Sequence, residues 1–230
     1  MLTRVNHVAL GVHDLEGALR FYRDTLGLPA TPVNGGVELP VGRSAVRIGV
    51  VADDQPEGVV AVAFDDDGLA SGDRGVHEDA DANLSLGIVR MPAVAIPDAP
   101  TDGHVRFLDH IVVASNDSAA TAAHFRDRLG MEIKRTMTRP GTGAHLEFAK
   151  LVDVTIEFAG PPQPRPGELK ARFWGVVFAV DDIDAVVADA RAAGYPVSDP
   201  IPAVQPGAKI ATVKAGTGGV PFALIQYNAL

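Results

Sequence analysis

Apolar and polar positions along this chain follow two periods, and the switches between them recur. Leu108, Ile111, Val112 and Val113 form a largely β-branched run suited to a pleated, buried strand, with His110 among the polar residues near its start. Ser115-Asn116-Asp117-Ser118 breaks the run and offers helix N-cap side chains. An alanine-rich helix is predicted next, through Phe125 and Leu129. Gly130 stops it, because glycine accepts the left-handed backbone just past a helix end. The unit is strand, capped helix, glycine, strand.

The same unit occurs earlier. Val5–Leu28 lies over Leu108–Met131 without a gap, which sets His7 on His110, Asp14 on Asp117 and Gly27 on Gly130. A fainter copy spans Trp174–Val197, with Asp182 at the cap, Gly194 at the helix end and Gly175 in place of the histidine. Internal repetition of this kind decides the fold. Adding the strands that follow each helix gives β-α-β-β-β, from Val5 to about Val51, from Leu108 to about Gly160, and from Phe173 to Tyr227. Glu57–Pro100 is a damaged copy. Val59–Phe64 predicts its first strand and Leu84–Met91 its last, while Asp67–Asp81, glycine-rich and acidic, predicts a loop where the helix should be.

The expected fold is therefore α+β: repeated βαβββ modules, three clear and one degenerate, paired into two cleft-forming mixed-sheet domains. Pro92, Pro97 and Pro100 mark the linker between a domain of residues 1–100 and one of residues 104–230.

A chain of 230 residues is long enough for two such cores. Its formal net charge of −9 argues against a nucleic-acid partner. No apolar run reaches the roughly 18–20 residues of a membrane span, and the N-terminal residues lack a signal peptide's apolar region. The expectation is a cytoplasmic protein whose partner is a small molecule, not a membrane, with homodimerisation left open. Without cysteine, any metal must be held by histidine, carboxylate or carbonyl groups.

The candidate chemistry centres on the third module. His110 stands in its first strand and Glu157 in its last, where alternation sets Glu157 with Thr155 and against Ile156 and Phe158. An imidazole and a carboxylate converging on one face suit a divalent metal. The plainer alternative is a core histidine and a solvent-facing glutamate. Arg139, beside Gly141-Thr142-Gly143, suits an anionic ligand, and His145 lies in a strand of the same module. In the last module Gln205, Lys209 and Thr217 fall in loops that can line a pocket mouth.

The repeated unit carries Asp109-His110-Ile111-Val112-Val113, a capping aspartate, Phe125-Arg126-Asp127-Arg128-Leu129-Gly130 and Thr155-Ile156-Glu157-Phe158. It resembles the vicinal oxygen chelate superfamily, which includes glyoxalase I, type I extradiol dioxygenases, methylmalonyl-CoA epimerase, fosfomycin-resistance enzymes and bleomycin-resistance proteins. Four modules in one chain look most like the extradiol arrangement. The resemblance implies metal ligands from the first and last strands of paired modules, hence His110 and Glu157, with Glu157 also able to move a proton. It implies a divalent ion (Fe, Mn, Zn or Ni) acting as a Lewis acid on a small oxygen-rich molecule, in lyase, isomerase or dioxygenase-like chemistry.

The sequence departs from that pattern at Gly175 and Ala223, which stand at ligand positions of the last module and count against ring cleavage. The first module keeps His7, with Gly49 at the expected late position. A third ligand is left open among His7, His145 and Glu147. The alternative is a metal-free protein that sequesters a small molecule, as the bleomycin-resistance members do; Gly175 and Ala223 favour it.

Overall fold

A computed structural model describes residues 1–71, 73, 76–79, 86–93 and 103–228. The first module holds β1 (Leu2–Val12), α1 (Leu15–Leu19), β2 (Thr31–Val33), β3 (Gly36–Val41) and β4 (Ser44–Val50). The degenerate module holds β5 (Gly58–Asp66), β6 (Val76–Asp79) and β7 (Gly87–Pro92). The third holds β8 (Val105–Ser115), α2 (Ser118–Leu129), β9 (Ile133–Thr138), β10 (His145–Leu151) and β11 (Val154–Gly160). The fourth holds β12 (Ala171–Val180), α3 (Ile183–Ala192), β13 (Ile201–Pro202), β14 (Ala208–Val213) and β15 (Phe222–Tyr227).

Two mixed sheets result, in the orders β2-β3-β4-β1-β5-β7-β6 and β13-β14-β15-β12-β8-β11-β10-β9. Each takes its strands from one half of the chain. Within modules one, three and four the first strand pairs parallel with the last: β1 with β4, β8 with β11 and β12 with β15. Contacts nevertheless group the chain into two units that are discontinuous in sequence. One comprises Met1–Asn6, Ala61–Ala95 and His110–Trp174; the other comprises His7–Val60, Ile96–Asp109 and Gly175–Leu230.

The helices start where the sequence says. Asp14, Asp117 and Asp182 each accept a hydrogen bond from the backbone N–H three residues on, which satisfies a donor the first turn leaves open. Gly130 ends α2 at φ 69°. One helix differs from the expectation of a single α-helix through Leu26. After Leu19 it becomes a π-helix over Arg20–Thr25, with Leu26 N–H donating to the Phe21 carbonyl. The wider turn lets two consecutive aromatics, Phe21 and Tyr22, both be fully buried.

In the second unit Phe21 and Phe222 meet edge to face at 5.0 Å, and Phe178 meets Phe222 at 4.8 Å. In the first unit Phe125 of α2 packs on Phe158 of β11 at 4.9 Å. Of the segment 67–81 expected to be a loop, residues 76–79 form β6, which pairs antiparallel with β7. Its partner strand, not local periodicity, makes it a strand. Residues 80–85 and the linker residues 94–102 lie outside the described residues.

Candidate functional site

Register fixes which side chains share a face. β11 runs parallel to β8 with Thr155 opposite His110 and Glu157 opposite Val112. Paired residues point the same way, so His110, Val112, Thr155 and Glu157 lie on one face. Ile156 and Phe158 lie on the other, where α2 packs. His110 and Glu157 are diagonal neighbours, and both are buried. Alternation along Thr155–Phe158 thus predicts the face correctly.

Arg139 joins them. The loop from Arg139 to Ala144 closes on itself, with Arg139 N–H donating to the Ala144 carbonyl and Gly143 N–H to the Arg139 carbonyl. Gly141 and Gly143 supply the left-handed backbone this needs, at φ 82° and 71°. The Arg139 side chain then reaches back, and its Nη2 donates to Glu157 Oε1 at 2.8 Å. Phe148 lies opposite Glu157 on β10, and Arg135 lies opposite Phe148 on β9, its guanidinium carbon 6.0 Å from the ring centroid. This face therefore carries two arginines, one glutamate, one imidazole and an aromatic ring. Arg135 and Phe148 were not among the sequence candidates, although alternation counted from Glu157 across the hairpin would have found them.

The remaining candidates stand elsewhere. Glu147 pairs with Phe158, which places it and His145 on the helix-packed face, away from His110 and Glu157. The Ser118 hydroxyl is hydrogen-bonded to His145 at both ring Nδ1 and carbonyl, each at 3.0 Å. Thr217 is buried in the other unit, where its hydroxyl donates to the Val220 carbonyl at 2.6 Å and its carbonyl accepts from Tyr22. Gln205 belongs to that unit also, in the turn where its carbonyl accepts from Ala208 N–H.

Register also corrects one correspondence. On β8 and β11 the carboxylate stands two residues beyond the partner of the histidine. In the first module His7 lies opposite Ala45, so the matching residue is Arg47, not Gly49. Arg47 Nε donates to Glu38 Oε2 at 2.6 Å, and Nη1 lies 3.5 Å from His7 Nε2. Burial, aided by the Arg47 charge, lowers the His7 pKa to about 4. In the fourth module Val176 lies opposite Phe222, which makes Gly175 and Ala223 the matching pair. A Cβ on Gly175 would stand 2.7 Å from the Pro221 carbonyl oxygen, so that position is closed to any side chain as well as empty of one.

These observations test the fit of a metal. Among the described residues, no group of three or more His, Asp or Glu is placed to hold one. The two donors in the third module include a carboxylate already bound to a guanidinium. A divalent ion on the same carboxylate would have to displace, or sit against, the guanidinium that Glu157 already holds at 2.8 Å. The donor set does not fit a divalent ion.

A family model described as the Glyoxalase/Bleomycin resistance protein/Dioxygenase superfamily matches residues 4–70, and a second of the same description matches residues 109–212. The chain belongs to this superfamily. No curated protein matches it in sequence. Among solved structures, a triple mutant of 4-hydroxymandelate synthase from Streptomyces coelicolor aligns over 100% of this chain and 94% of its own, with TM-score 0.72 and 16% identity. A halotolerant catechol dioxygenase aligns over 98% of this chain and 87% of its own, with TM-score 0.65 and 15% identity. Methylmalonyl-CoA epimerase from Mycobacterium tuberculosis covers 56% of this chain and 93% of its own, with TM-score 0.49 and 18% identity. At these identities the likeness is one of fold. Among the described residues no helix is long and apolar enough to cross a membrane.

Proposed function

We propose that this superfamily member binds a small oxygen-rich molecule without a metal, on the sheet face that carries His110, Arg139 and Glu157. The observation that carries the proposal is the Arg139–Glu157 ion pair at 2.8 Å. It turns the surviving family carboxylate from a metal ligand into the anchor of an arginine. Arg139 is half exposed while Glu157 is buried, so the guanidinium is held from behind and keeps donors toward solvent. Arg135, Arg139 and Glu157 together leave the face net positive. A planar anion would find a guanidinium fork in Arg139 and a flat surface in Phe148 with Arg135. Glu157 orients Arg139 in this reading and transfers no proton.

The test is metal content by mass spectrometry of untagged protein, with calorimetric titration of Zn²⁺ and Mn²⁺ into the metal-free form. We expect no stoichiometric metal and no saturable binding, and Arg139→Ala should raise affinity for added ions by freeing the carboxylate. Near-stoichiometric Fe, Mn, Ni or Zn, lost in both His110→Ala and Glu157→Ala, would overturn the proposal in favour of a metal-dependent lyase, isomerase or dioxygenase.

A further inference from the structure

The open face of the third module extends beyond the residues used so far. In its sheet β8 lies between β11 and β12. The last residues of β8 meet the first of β12, where the Asn116 N–H donates to the Lys170 carbonyl, so these two strands run antiparallel. Counted inward from that bond, Arg172 stands opposite Ala114 and Trp174 opposite Val112. Burial alternates accordingly: Ala171 and Phe173 are buried, whereas Arg172 and Trp174 are exposed. Trp174, Val112, Glu157, Phe148 and Arg135 therefore form one row across five strands. The next row, toward the Arg139 loop, is Arg172, Ala114, Ala159 and Leu146.

The two rows offer different chemistry. In the first, Val112 is an apolar floor between two aromatic side chains, Trp174 on one side and Phe148, beyond Glu157, on the other. That suits a flat ring. In the second, Ala114 and Ala159 leave space above the sheet, and a guanidinium serves it from each side. Arg139 leaves β9 beyond Thr138, so its side chain crosses the Leu146–Ala159 pair to reach Glu157. Arg172 starts from the opposite side, on β12. Among the described residues no carboxylate pairs with Arg172 or Arg135, in a chain of formal net charge −9. Arginine donates hydrogen bonds and accepts none, so the group between Arg139 and Arg172 must be an acceptor, and the unmatched positive charge selects an anion. Two residues along a strand span about 6.6 Å. That matches the reach from a ring centred over Val112, through its carboxylate, to a guanidinium nitrogen.

Resting on the metal-free reading above, we infer that this face takes an aromatic carboxylate, its ring against Trp174 over Val112 and its acid group between Arg139 and Arg172. Trp174 sets the preference for a ring, and Arg172 is the second donor to the acid.

The experiment is a titration of the full chain with benzoate, read by calorimetry and by the fluorescence of Trp174, the chain's one tryptophan. Cyclohexanecarboxylate serves as the analogue without an aromatic ring and benzamide as the uncharged analogue. Benzoate should change the emission saturably. Cyclohexanecarboxylate should bind about fivefold more weakly, the scale of a lost aromatic pairing, and benzamide about tenfold more weakly, the scale of a lost charge-assisted hydrogen bond. By calorimetry, Trp174→Leu should weaken benzoate about fivefold and remove its advantage over cyclohexanecarboxylate, and Arg172→Gln should weaken both acids about tenfold. Should Trp174→Leu fold poorly, Arg172→Gln and the two analogues still decide. Acid binding that Arg139→Gln weakens, but that Trp174→Leu and Arg172→Gln leave unchanged, would overturn this inference and leave the metal-free reading standing. No saturable benzoate binding, or either analogue binding as tightly as benzoate, would overturn it too. Whether the protein holds a metal is decided separately, by its metal content.

Discussion

Stability should fall on acidification through His7 in a way that one substitution removes. The His7 ring is buried on β1 with the Arg47 guanidinium 3.5 Å away, and its pKa in the folded protein is about 4 against an ordinary value of 6.5. The folded state resists protonation, so between these values the unfolded chain binds more protons. Stability is then complete above the unfolded pKa and is lost as pH falls toward the folded one. The full difference corresponds to roughly 3 kcal/mol, of which roughly 2 kcal/mol is lost between about pH 7 and about pH 5. Every titrating carboxylate also contributes to acid destabilisation, so the informative quantity is a difference of differences. Urea denaturation of wild type and His7→Gln at both pH values isolates it. We expect His7→Gln to lose about 2 kcal/mol less than wild type over that interval. Equal losses in the two proteins, or a His7 ring that titrates near 6.5 by NMR, would refute the argument from burial and the Arg47 charge.

Other outcomes follow from the same structure. Asp65 is buried and accepts from Arg4 Nε at 2.8 Å and from Asn6 Nδ2 at 2.7 Å. Asp65→Ala should cost about 3–5 kcal/mol in urea denaturation, because it removes the carboxylate that pairs with the buried Arg4 guanidinium. Asp117→Ala and Asp182→Ala should each cost about 1 kcal/mol as helix caps on separate helices, and the double variant should add within about 0.5 kcal/mol. Gly175→His restores the residue type of the family position, yet it should destabilise the protein and give no gain in Zn²⁺ affinity by calorimetry, since its Cβ meets the Pro221 carbonyl.

Much of the fold was legible because it repeats. A β-branched run, a capping aspartate and a helix-ending glycine each have a local physical cause, so three copies reinforced one another. The face of Glu157 was equally local, since alternation along Thr155-Ile156-Glu157-Phe158 is a property of any strand. What escaped the sequence required pairing. Gly49 is the late position expected from the sequence of the first module, whereas the matching position is set by the residue across the ladder from His7, which makes it Arg47. His145 and Glu147 looked like neighbours of Glu157 until the β10–β11 register placed them on the helix-packed face. The Arg139–Glu157 contact depends on a loop that turns back through two left-handed glycines, and no periodicity encodes where its side chain lands. Likewise β6 exists because β7 offers an edge.

Seen in register, the modules vary one theme by different physical means. The third keeps histidine and carboxylate but balances the carboxylate with Arg139. The first keeps histidine but replaces the carboxylate with Arg47, balanced in turn by Glu38 at the position Phe148 holds in the third module. The fourth has neither residue and has closed the first position with a carbonyl. A divalent ion needs several unblocked donors, imidazole or carboxylate, converging on one point. In each of these modules that condition fails for a separate reason: a guanidinium partner, a charge inversion, or a missing Cβ. Restoring a metal site would therefore take more than one substitution. The single change nearest to doing so is Arg139→Ala, which is why its effect on Zn²⁺ affinity discriminates best between a protein that only binds its ligand and one whose chemistry runs through an ion.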